Sequence, residues 1–252
     1  MRYVAEIAYD GTNYAGWQRQ KNAVSVQELL ENAFFAAFKT RVAVTASGRT
    51  DAGVHAAGQV AHFDTESSVP AEKFYKALNV FLPGSVKVIK SEEADADFHA
   101  CNSAKKKTYA YSLYVSDTEL PLKERYAERI ADADVEKMKA AAKEFVGTHD
   151  FSAYKASGSS AKTTVRKIYS CKVVKKGTDI TFTVCGNGFL YNMVRIMVGA
   201  TVAAGKGEIS VEDIRRSLAT GERPKNVKTF PAKGLCLISA EYSPQKNRRK
   251  QK

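Results

Sequence analysis

The chain has 252 residues, 44% of them hydrophobic and 26% charged, which is enough to bury a substantial core in one large domain or in two halves. No apolar run reaches the roughly 20 residues that cross a bilayer, because the longest, Phe189 to Ala204, carries Asn192 and Arg195. The net charge is +12, and only five of those charges sit in the acid-free tail 244–252; such an excess points to a polyanionic partner, most simply nucleic acid, or else to a basic surface kept for solubility.

In chain order, residues 3–9 alternate as a strand and stop at the turn pair Asp10-Gly11. No signal-peptide apolar stretch precedes that strand, so the expected location is cytoplasmic. Ser25-Val26-Gln27-Glu28 reads as a capping box, and Val26, Leu29, Leu30, Ala33, Phe34, Ala37 and Phe38 continue at helical spacing. A strand follows over 54–64. Pro70 opens a second helix through Phe74, Ala77, Leu78 and Phe81, closed by Pro83, and strands are expected at 85–91 and 107–115.

A similar order then recurs. Residues 134–146 read as a helix with Gly147 just past its end, and 155–162 as a mobile polar loop. Strands at 165–175 and 179–185 form a hairpin about Lys176-Gly177-Thr178. Phe189–Ala204 reads as a helix with Gly188 at its entrance, Ser210 caps another through Leu218, and 234–242 is a last strand ahead of a disordered basic tail, 244–252. Hairpin signals without strict alternation give an α+β class. The division expected is an N-terminal sheet-and-helix half, 1–104, and a C-terminal one, 105–243, packed so that their sheets join.

Four segments have the composition for chemistry. In Gly48-Arg49-Thr50-Asp51-Ala52-Gly53, glycines flank a carboxylate that Arg49 can pair with and keep ionised. Asp51 is then either a covalent nucleophile or the cap of its own turn. Tyr9–Gln18 holds two tyrosines, two glycines and the only tryptophan; these rings either stack on bases or close the core. Lys105-Lys106-Lys107 leads into Tyr109 and Tyr111 on one strand face, a phosphate strip beside a stacking ring or else ordinary core tyrosines. Arg195, two turns inside an apolar helix on this reading, needs a carboxylate partner, either Asp51 or another acid. Cys101, Cys171, Cys185 and Cys236 and the four histidines are scattered without metal-ligand spacing, so reduced, mostly buried thiols and no metal centre are expected.

Taken together and in order, these stretches resemble the TruA family of tRNA pseudouridine synthases. Tyr9–Gln18, Gly48–Ala56, Phe98-His99-Ala100 leading to Tyr109, Thr164-Val165-Arg166 and Gly186–Arg195 carry the likeness, with Arg-Thr-Asp-Ala-Gly-Val-His the most specific part. The resemblance implies the pseudouridine synthase fold, two halves flanking a basic cleft. It implies isomerisation of uridine to pseudouridine at positions 38, 39 and 40 of the tRNA anticodon arm, by a homodimer without cofactor or metal. Carried over residue by residue, Asp51 is the nucleophile, Tyr109 packs on the target base, and Arg49 and Arg195 position Asp51 and RNA phosphate. Cys101, Asn102 and Thr108 stand where the family more often has basic or bulky residues, and the basic tail is extra. Two other classes remain on composition alone: a non-catalytic RNA-binding module, and a carboxylate-dependent hydrolase, for which no second carboxylate motif is present.

Overall fold

The structure is a computed structural model that describes residues 1–158 and 161–243. The tail 244–252 and part of the 155–162 loop, expected to be disordered and mobile, lie outside the described residues. In chain order the elements are β1 (Arg2–Tyr9), α1 (Val26–Phe38), β2 (Thr45–Ala46), β3 (His55–Asp64), α2 (Phe74–Phe81) and β4 (Val86–Glu93). Then come β5 (Ala104–Val115), β6 (Glu128–Ile130), α3 (Val135–Glu144), β7 (Gly147–Asp150), β8 (Val165–Lys176) and β9 (Asp179–Gly186). The chain closes with α4 (Met193–Gly205), α5 (Val211–Thr220) and β10 (Leu235–Tyr242). The class is α+β. Two compact units result, Met1–Lys105 with the residues from Leu237 on, and Lys106–Cys236.

In the first unit the strands run in the order β4-β1-β3-β10, with β2 on β3. Alternation along β1 sends Tyr3, Ala5 and Ile7 to one face, level with Phe63, Ala61 and Gln59 of β3. That face meets the helices. Phe34 lies 4.3 Å from the Phe63 ring, and Phe74 lies 4.8 Å from Tyr3. Such aromatic pairs contribute about 0.5–1.5 kcal/mol each beyond simple burial. The opposite face carries Val4 and His62, covered by Phe98 and Ala100. Helix α1 begins where expected, since the Ser25 hydroxyl accepts from the Glu28 N–H at 3.3 Å.

The final strand was assigned to the C-terminal half on sequence. From Leu237 it belongs instead to the first unit, because β10 pairs with β3 and the Ile238 carbonyl lies against Gly58.

In the second unit the order is β5-β9-β8-β7, with β6 parallel to β5. Tyr111, Phe182 and Val173 share a register line on the buried face, packed with Met138, Phe145 and Met197 in the core. Two boundaries differ from expectation. Helix α3 ends at Glu144, and Gly147, at φ 127°, opens strand β7 rather than following a helix end. Helix α4 starts only at Met193, because Asn192 is left-handed at φ 58° and interrupts the run from Phe189. Gly188 is therefore outside it, and Arg195 sits in its first turn, not two turns inside.

Among the described residues no helix is long and apolar enough to cross a membrane. Among the described residues the cysteines form no disulfide, and they are not mostly buried. Only Cys171 is fully enclosed, where burial pushes its thiol pKa well up, and Cys101 is exposed.

Candidate active site

The Asp51 loop, residues 47–54, runs between β2 and β3 and is held along its whole length by side chains of the first unit. At its start the fully buried Gln59 forms a clamp. Its Oε1 accepts from the Ser47 hydroxyl at 2.7 Å, and its Nε2 donates to the Gly48 carbonyl at 2.9 Å. Mid-loop, the buried hydroxyls of Tyr9 and Thr50 meet at 2.8 Å. The loop then turns tightly, with the Val54 N–H donating to the Asp51 carbonyl at 3.1 Å and Gly53 at φ 78°. Only a residue without Cβ adopts that conformation cheaply.

The Tyr9–Gln18 segment supplies the other wall. The Trp17 N–H donates to the Thr50 carbonyl at 3.1 Å, and the Gly53 N–H donates to the Tyr14 carbonyl at 3.3 Å. The Gly11 N–H donates to Nδ1 of His55 at 3.1 Å, and an Asp10 carboxylate oxygen lies 3.2 Å from the same nitrogen. A Cβ on Gly16 would come 2.4 Å from the Thr50 carbonyl oxygen, and one on Gly11 only 2.0 Å from that of Val54. The two segments interlock backbone to backbone. Of the two readings open for this segment, core closure holds for Trp17, which is 2% exposed and stacked obliquely on the buried Tyr9.

Asp51 itself is half-buried, in a loop otherwise tied down on both sides. Arg49 is exposed, and among the described residues no ion pair joins it to Asp51. The pairing expected from their spacing is not formed, since the buried Thr50 between them is anchored to Tyr9 and leaves Arg49 on the outside of the loop.

In the second unit Tyr109 lies on β5 opposite Val184, 8% exposed, with Phe189 edge-on to its ring at 5.2 Å and 82°. The motif that contains Phe189 therefore buttresses Tyr109. Arg195 is half-buried. Its Nε donates to the Phe230 carbonyl at 2.6 Å and a terminal nitrogen donates to Asn192 Oδ1 at 2.7 Å. Phe230 in turn stands edge-on to Tyr111, whose hydroxyl donates to the Pro231 carbonyl at 2.7 Å. Burial, and after it the Glu128 carboxylate, push the Tyr111 phenol far above its usual range, so it remains a donor. Arg166, which folds back on the Thr163 and Val165 carbonyls, has its pKa lowered by burial.

Thr50, His55 and Gln59 were not singled out from sequence. Their only local signal was a place in or beside the Asp51 motif, because what makes them important is a partner far away in the chain.

The first unit thus holds a half-buried carboxylate in a clamped loop at a strand end, and the second unit holds a buttressed tyrosine and a tethered arginine. Residues 5–101 and 141–243 match the family described as tRNA pseudouridine synthase, and the chain belongs to that family. It is 44% identical to the tRNA pseudouridine synthase A of Acetivibrio thermocellus over 237 residues, 94% of this chain and 97% of that protein. It is 44% identical to the protein of the same name from Citrifermentans bemidjiense over 238 residues, 94% of this chain and 95% of that one. Among solved structures, the archaeal box H/ACA sRNP Nop10-Cbf5 complex aligns with 84% of this chain and 53% of that chain, at 12% identity and a TM-score of 0.35. That likeness is too slight to bear on fold or function.

Proposed function

We propose that the chain isomerises uridine to pseudouridine at positions 38, 39 and 40 in the anticodon arm of tRNA, with Asp51 as the nucleophile. The observation that carries this reading is the Asp51 loop, clamped by Gln59, Tyr9 and the Trp17 backbone around a half-buried carboxylate. Rigid backing of this kind suits a group that must meet one atom of a large substrate. The name shared by relatives at 44% identity over almost their whole length supports the substrate.

In the reaction the N1–C1′ bond breaks, the uracil turns, and a C5–C1′ bond forms; C5 loses its hydrogen and N1 gains one. Atoms balance without oxidant, reductant or added water, so no cofactor or metal is required by the chemistry. Asp51 either adds to the uracil ring, attacks C1′, or removes a ribose proton. A paired stem base must first leave the stack, at a cost of roughly a few kcal/mol. Tyr109, braced by Phe189, packs on the displaced base, and Arg49 and Arg195 bring positive charge to RNA phosphate. The functional division is a half bearing Asp51 and a half bearing Tyr109 and Arg195, flanking a basic cleft. The working form is a cytoplasmic homodimer.

The test is Asp51→Asn assayed for pseudouridine in tRNA, beside a gel shift. Product should vanish while tRNA is still bound. A normal yield from this variant rejects Asp51 as nucleophile, and binding by a wild type that makes no pseudouridine favours a binding module. Mapping pseudouridine in tRNA from cells lacking the protein tests the three positions.

A further inference from the structure

The second unit's sheet has two unlike faces. The face of Tyr109, Val184 and Cys171 is buried, whereas the other, through Thr108, Cys185 and Ser170 and through Ala110, Thr183 and Lys172, carries small, polar or basic side chains. At one end of this second face the β8–β9 register slips between Ile168 and Ser170. The extra residue at such a bulge leaves two successive side chains on the same side of the sheet. Tyr169 is that residue. Ile168 and Cys171 remain buried, and Tyr169 stands out on the open face, 40% exposed. Lys106 Nζ lies 5.5 Å from its ring centroid and Lys167 Nζ 5.7 Å. Lys172, Lys175 and Lys176 continue the positive strip along the same strand, and Lys172 and Lys176 share this face. Of the acids on this face, Asp179 is paired to Lys123, and Asp150 of β7 accepts from the Ser152 N–H at 2.9 Å.

We propose that Tyr169, with Lys106 and Lys167, is an RNA contact separate from the Tyr109 face: a base or ribose stacks on the ring and the adjoining phosphates lie against the two ammonium groups. This rests on the reading that the substrate is tRNA. The occupant follows from charge and shape. A flat exposed ring between two cations, on a strip where Lys106, Lys167, Lys172 and Lys176 share one face, complements an alternation of ring and phosphate. The contact adds affinity for tRNA regions away from the isomerised base.

The experiment compares wild type, Tyr169→Ser, Tyr169→Phe and the double variant Lys106→Gln/Lys167→Gln in tRNA binding across a salt series and in single-turnover pseudouridine formation at saturating enzyme. Tyr169→Ser should bind about 10-fold more weakly, Tyr169→Phe as wild type, and all should keep the wild-type saturating rate. The double lysine variant should lower the slope of log K against log salt by about 1.5. Unchanged affinity in Tyr169→Ser together with an unchanged salt slope in the lysine variant overturns the proposal and leaves the catalytic reading intact. A shift to a smaller species on sedimentation of Tyr169→Ser assigns the face to a second copy of the chain and also overturns it. A wild type that neither binds nor modifies tRNA overturns both readings.

Discussion

The hydroxyls of Tyr9 and Thr50 meet in a buried hydrogen bond of 2.8 Å, one residue ahead of Asp51. This bond joins the end of the first strand to the loop that carries the proposed nucleophile, across 41 positions of sequence. Tyr9→Phe removes it while keeping the ring against Trp17. The expected cost is about 1 kcal/mol of stability, with Thr50 left seeking a partner. Single-turnover pseudouridine formation should fall by more than that figure implies in folded fraction, since the loop loses its fixed position. A melt and a rate measured on the same sample decide it, and an unchanged rate would show that the loop does not depend on Tyr9.

Two glycines face the loop without room for a methyl group. Gly16→Ala combines a left-handed backbone with a Cβ 2.4 Å from the Thr50 carbonyl, and Gly11→Ala places one 2.0 Å from the Val54 carbonyl. Each contact is with backbone, so the loop itself must move. Both substitutions should destabilise the first unit by about 1–3 kcal/mol and depress activity. Gly84→Ala, with nothing within 4 Å of its new Cβ, should melt and turn over close to wild type. Equal behaviour of all three variants in thermal melts would contradict the interlocked arrangement.

Arg195→Ala exposes a structural role beside any catalytic one. The variant strips donors from the Phe230 carbonyl and Asn192 Oδ1, which should cost about 1–3 kcal/mol. Arg195→Lys keeps the charge but lacks the planar fork that serves both acceptors. Denaturant midpoints should rank wild type above the lysine variant and the lysine variant above alanine. Equal activity of all three proteins at matched folded fraction assigns Arg195 to scaffolding alone.

His62 makes stability depend on pH. Burial first, then Arg2 and His99, lower its pKa below the ordinary 6.5, while Asp64 and a bond to Thr45 oppose the shift. Its Nδ1 accepts from the Ala100 N–H at 3.2 Å, a bond that a proton there would remove. Because the unfolded chain binds this proton more readily, stability is fully present above about pH 6.5 and declines as pH falls below it. Melts from pH 8 to pH 5 should show the loss, and His62→Asn should show less of it. An identical pH profile for the variant would assign the loss to other groups.

Much of the secondary structure was legible because it is encoded locally. The Ser25 cap, the 3.6-residue spacing through Phe38, the turn at Gly177 and the Ser210 cap each act within a few residues, and each element formed where those signals stood. Strand β7 and the true start of α4 were missed because two backbone facts, Gly147 and Asn192 in positive φ, are invisible in an apolar-spacing pattern. The short β2 was missed because two residues carry no periodicity, and it exists only by pairing with His62 and Ala61.

For the candidate site, composition and order singled out Asp51, Tyr109, Arg49 and Arg195 and the motifs around them, because residue type alone decides what chemistry a side chain can do. Trp17 as core closure, Gln59 as the clamp on Gly48, Phe189 behind Tyr109, and the exposed Arg49 all needed the tertiary structure. Each depends on which distant backbone arrives beside a side chain, and hydrogen-bond geometry and steric room are properties of that meeting rather than of either segment. The sequence by itself determined the family and the class of fold, and it singled out the candidate site residues. Only tertiary structure decided how the Asp51 loop is held rigid, since that rigidity comes from contacts between Tyr9–Trp17 and Ser47–Val54 that no local pattern contains.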